Sequence, residues 1–169
     1  MYRRKSWIVL IAALALTLGL AACGGGEKEL DLDQYFRQLE DINDSTQARI
    51  DILQEESQGV GVEIEPTRDY VDGLQAITKE ALNDLKDLHP PAEARDAHDE
   101  FVAGLSELLA LREALGDRLA DLESPSELQT LLVEPDEPVT AATRRVDNAR
   151  CQLQGIAGGN GIEVDLGCG

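Results

Sequence analysis

The chain has 169 residues, 15 of them basic and 33 acidic, for a formal net charge of −18. So acidic a body is repelled by nucleic-acid phosphate and by anionic lipid head groups, which argues against nucleic-acid binding and against a basic membrane-binding surface. Two Phe, three Tyr and one Trp leave any core to Leu, Ile, Val and Ala, which suits packed helices, and the length suits one domain.

The chain opens with Arg3, Arg4 and Lys5, continues in an apolar run from Trp7 to Leu20, and reaches Leu20-Ala21-Ala22-Cys23. That is the order of an export signal: basic region, apolar region, small-residue cleavage site. The run is short for a hydrocarbon core, which needs about 20 apolar residues. Cys23 directly after the small residues resembles the lipobox of bacterial lipoproteins. The resemblance is specific over residues 1–23 only. It implies removal of residues 1–22, a diacylglyceryl group on the Cys23 thiol, and acylation, for instance with palmitate, of the new amino terminus. More than one acyl chain gives stable anchoring where a single one binds only marginally. The expected location is then the extracytoplasmic face of the cell membrane or the outer membrane. Gly24, where some two-membrane bacteria carry a retaining Asp, leans towards outer placement. Residues 23–29, with Gly24-Gly25-Gly26, read as the lipidated Cys and a flexible tether. Cleavage leaves 12 basic against 33 acidic residues, a net charge of −21.

Residues 30–169 read as a single helical domain, an all-α up-down bundle of four main helices. In the first, about 30–58, Leu32, Phe36, Leu39, Ile42, Thr46, Ile50 and Leu53 recur at steps of three and four. Gly59, Gly61 and Pro66 interrupt the chain, and the alternating Val60, Val62 and Ile64 have no strand partner, so this stretch reads as an ordered loop. The second helix, about 67–88, carries Tyr70, Leu74, Ile77, Ala81, Leu85 and Leu88. His89-Pro90-Pro91 is a tight joint that favours antiparallel neighbours, with His89 exposed. The third, about 91–123, carries Ala94, Ala97, Phe101, Leu105, Leu108, Leu115, Leu119 and Leu122. It is expected either to bend at Gly104 or Gly116 or to project past the bundle. Ser124-Pro125-Ser126-Glu127 is a capping box opening a short helix to about 133. The fourth main helix, about 138–157, carries Val139, Ala142, Val146, Ala149, Leu153 and Ile156, and Gly158 to Gly161 stop it.

Export puts Cys151 and Cys168 in an oxidising compartment, where a disulfide is the default. Cys151 points about 200° from Ala149, away from the core stripe. A tail in which Ile162, Val164 and Leu166 alternate with Glu163 and Asp165 can fold back over that face and bring Cys168 to it. Wide spacing, without a C-x-x-C arrangement, argues against a redox or metal pair.

No catalytic, cofactor or metal site is legible. The residues three before His89 and His98 are Lys86 and Arg95, not the Glu that a di-iron bundle requires. His98 lies at the border of the third apolar stripe. Asp96, His98, Asp99 and Glu100 occupy several helix directions and read as a charged surface. No EF-hand loop, nucleophile elbow, P-loop or dinucleotide fingerprint occurs. The sequence therefore leads to a non-enzymatic, membrane-anchored envelope module with an unidentified envelope or extracellular protein partner. The alternative is a bundle with an apolar pocket for a lipid or other small molecule, lined from Leu, Ile, Phe36 and Phe101. A solid core with one exposed apolar patch would favour the first; a continuous cavity of several hundred Å³ would favour the second.

Overall fold

The computed structural model describes residues 30–133 and 136–168. Cys23, with the expected signal and tether, lies outside them. Five helices follow one another: α1 (Leu32–Glu56), α2 (Ile64–Asp87), α3 (Arg95–Ala120), α4 (Pro125–Val133) and α5 (Glu137–Gly159). Among the described residues there is no strand. The four long helices alternate up and down, as the stripes predict. α1 packs on α2, α2 on α3 and α3 on α5; α1 and α5 make no comparably close approach. The bundle is thus open along one seam, between α1 and α5.

Side-chain caps set the starts of three helices. Asp31 caps α1 by accepting the Gln34 N–H at 2.9 Å, and Asp136 caps α5 by accepting that of Val139 at 3.2 Å. The Glu127 carboxylate accepts the N–H groups of both Glu123 and Ser124 at the start of α4, the reaching-back half of a capping box. Three boundaries depart from the sequence reading. Pro66 does not interrupt the chain before α2 but sits in its first turn, where a missing N–H costs nothing. Residues 92–94 form a turn before α3, which starts at Arg95 rather than Pro91. Gly158 and Gly159 are still helical, and the reversal falls at Gly161, whose φ of +73° suits glycine.

The main core draws on every long helix: Tyr35, Phe36 and Leu39; Leu85 and Leu88; Ala97 and Phe101; Val146, Ala149, Leu153 and Ala157. Small residues let helices approach. A Cβ at Gly104 would lie 3.0 Å from Val146 Cγ2 and 3.2 Å from the Val146 backbone nitrogen, so α3 and α5 touch there almost backbone to backbone. Gly104 therefore serves packing, and α3 runs unbroken past it.

The far end of α3 does not project. Leu119 is fully buried in a second cluster with Val71 of α2 and Leu128 and Leu131 of α4. The short helix thus lies across the end of the bundle. The Gly59–Gly61 loop joins it to α2: Gln129 Nε2 of α4 donates to the Gly61 carbonyl at 2.8 Å, and the Gly61 N–H donates to Thr67 Oγ1 of α2 at 2.8 Å.

Candidate functional site

At the end where α1 begins, the Leu30 N–H donates to the His89 carbonyl, fastening the entering chain to the α2–α3 joint. His89 is half-buried there, not exposed as the Pro-Pro turn suggested. Deeper in, His98 is 4 % exposed, inside the core instead of at the border of the stripe. Its Nδ1 lies 3.1 Å from the Tyr35 hydroxyl. It also makes a hydrogen bond with the Leu85 backbone that favours the charged form, as donation to a carbonyl does. Burial outweighs this and the adjacent Asp99 charge and holds the imidazole below its usual 6.5. The Tyr35 phenol is pushed upward, by burial first and Asp99 second. Both side chains are neutral near pH 7, and the pair ties α1, α2 and α3 together without reaching solvent. Asp96, Asp99 and Glu100 face outward instead, and Glu100 is engaged by Arg145 at 2.8 Å. No group of acids, His and Cys among the described residues could hold a metal ion.

The tail does what the alternation of Ile162, Val164 and Leu166 predicts. After Gly161 it turns back along α5 in the lower part of the open seam. Leu166 is 1 % exposed in the main core, and Ile162 and Val164 pack against it. Gln154 Oε1 on α5 accepts the N–H groups of Leu166 and Cys168, and Glu40 on α1 accepts that of Asp165 at 2.8 Å. The Cys151–Cys168 disulfide, with Cα atoms 5.2 Å apart, ends the run. The tail therefore closes the seam only as high as Arg150, whose guanidinium lies against Gly167.

Above that point the seam holds a cavity of about 160 Å³. Its apolar walls include Leu39, Ile42 and Ile50 of α1, Leu85 of α2, and Phe101, Leu105 and Leu108 of α3. Phe101 lines it, as the pocket alternative anticipates; Phe36 does not, being fully buried in the core. Two cations also line it. Arg112 bonds the Thr78 hydroxyl, and burial lowers the affinity of its guanidinium for its proton, opposed by the Tyr70 phenol. Arg150 pairs with Asp147 at 2.9 Å, yet its buried Nε has no hydrogen-bond partner. Arg112 was legible in part: it continues the Phe101, Leu105, Leu108 spacing as a lone cation on an apolar stripe.

Four large apolar side chains are exposed among the described residues: Ile52 (54 %), Val62 (64 %), Leu132 (45 %) and Val133 (77 %). All belong to the end opposite Leu30. Ile52 is in the last turns of α1, Val62 in the α1–α2 loop, and Leu132 and Val133 at the end of α4. Gly61 and Leu132 are neighbours: a Cβ on Gly61 would meet Leu132 Cδ1 at 3.7 Å. Since α1 has 25 residues, roughly 37 Å at 1.5 Å per residue separates the two ends.

No family model matches this chain, and no curated protein or solved structure is found to be similar to it. Function is therefore read from the residues and their placement.

Proposed function

We propose that the chain is a membrane-anchored lipoprotein of the bacterial envelope, held by acylated Cys23 and acting as a non-catalytic module that engages a protein partner. The observation that carries this reading is polarity along the bundle. The chain enters at Leu30, beside the α2–α3 joint, while Ile52, Val62, Leu132 and Val133 expose apolar surface at the other end. An anchor at Cys23, seven residues before Leu30, would keep the entering end nearer the bilayer than the apolar end. Exposed apolar side chains that gather in one place mark an interaction surface more often than scattered ones do. No helix of the described residues is long and apolar enough to cross a membrane, so on this reading attachment rests on the acyl chains. The charge of −21 after cleavage keeps the body off anionic head groups.

Site-specific photo-crosslinking in the native envelope tests this. A probe at Leu132 should give one reproducible protein adduct that a probe at Glu93, at the entering end, does not. Adducts at Glu93 alone, or none at either site, would refute partner docking at the distal end.

A further inference from the structure

The seam cavity is lined by apolar side chains from all four long helices and by the Arg112 guanidinium, which bonds the Thr78 hydroxyl. Arg112 is half-buried, and even partial burial of a guanidinium against apolar walls is costly unless an anion meets it. In a chain with 33 acidic residues a carboxylate partner would be easy to supply. Yet among the described residues Arg112 is in none of the ion pairs that engage the other arginines, and its hydrogen-bonding partner is the neutral Thr78 hydroxyl. Several other arginines do meet a carboxylate: Arg37 pairs with Asp33, Arg49 with Glu80, and Arg145 with Glu100 and Glu107. At the lower end of the same cavity, Arg150 keeps a buried Nε unbonded, and the disulfide-pinned tail stops just beneath it.

We infer that this cavity binds a small amphiphilic carboxylate, its anionic head on Arg112 beside Thr78 and its hydrocarbon body among Ile42, Leu85, Phe101 and Leu105. The fit is both electrostatic and steric. A dry cavity of about 150 Å³ holds a benzene-sized solute, so 160 Å³, open along the seam, suits a body of about six or seven carbons. The chain's acidity repels anions over most of its surface, so an apolar carboxylate is held only where a half-buried cation and a hydrocarbon wall coincide. This inference is independent of the partner proposed for the distal end, which lies on other residues.

Octanoate is the probe. Titrated into the purified full-length chain and followed by calorimetry, it should bind saturably at one site per chain. Octanol, with a body one methylene longer and no charge, should bind at least tenfold more weakly, and acetate should not bind. Arg112→Gln should weaken octanoate at least tenfold while leaving octanol within twofold. Thr46→Trp, on the half-exposed α1 wall of the cavity, should abolish binding of both with the helical circular dichroism retained. Octanoate binding no tighter than octanol, or no saturable octanoate binding to the unsubstituted chain, overturns the inference without reference to any variant. Undiminished octanoate affinity in a folded Arg112→Gln chain overturns the role of the cation.

Discussion

His98 shows how one buried side chain couples this fold to pH. Its folded-state affinity for a proton is lowered, first by burial. Above pH 6.5 the ring is neutral in both the folded and the unfolded chain, so it has no effect on the slope of stability with pH. Below 6.5 the unfolded chain takes up a proton that the folded chain refuses, and stability falls as pH drops. The urea midpoint should therefore decrease between pH 7 and 5.5, and His98→Gln should flatten that segment of the curve. Glu100 and Glu127, whose carboxylates are held below the usual 4.5 by Arg145 and by the Glu123 and Ser124 N–H groups, act at lower pH. The two windows are thus separable. The Tyr35–His98 contact was not legible beforehand, because 63 residues separate the partners and neither stripe specifies the register of α1 against α3. The available signal was weaker: Tyr35 beside Phe36 and His98 beside Ala97 place polar atoms on inward faces, where each must find a partner.

Among the helices, glycine divides into two kinds. Ala is the better helix former by about 1 kcal/mol. At Gly155, where a Cβ meets nothing within 4 Å, Gly155→Ala should raise stability by roughly 0.5–1 kcal/mol. At Gly104 the same change drives a methyl against Val146 and its backbone, and overpacking of about 1–3 kcal/mol should reverse the sign. Urea unfolding of the two variants checks both directions. The tail is the other element with a measurable role. Replacing Cys151 and Cys168 by Ser should cost about 3 kcal/mol for a loop of this size in the chain-entropy model. Amide exchange should rise first at Leu166 and Cys168, whose N–H groups rest on Gln154. Helix periodicity made four stripes and a short capped helix readable, since amphipathic spacing is a local property. The Cys151–Cys168 pairing was readable too, from the direction of Cys151 and the alternation of the tail. What α4 covers, and how far the tail closes the α1–α5 seam, depends on distances between elements that no local pattern encodes. The same reason hid the placement of Arg112 beside a cavity.

Along the long axis of the bundle the two halves differ in kind. Chain entry, the α2–α3 joint and the disulfide-pinned tail occupy one half; the second cluster, α4 and the exposed Val62, Leu132 and Val133 occupy the other. Such a rod presents its far end wherever its near end is held, and the proposed acyl anchor supplies the hold. Substituting Val133 by Asp should remove the crosslinked partner while leaving unfolding nearly unchanged, because that side chain is 77 % exposed. The proposed orientation depends throughout on Cys23. Intact-mass measurement of the chain extracted from its native membrane is the sharpest check on that anchor. The expected species lacks residues 1–22 and carries a diacylglyceryl group and an amide-linked acyl chain on Cys23. A species of 18.3 kDa, with the leader retained and Cys23 unmodified, would refute the anchor and with it the orientation.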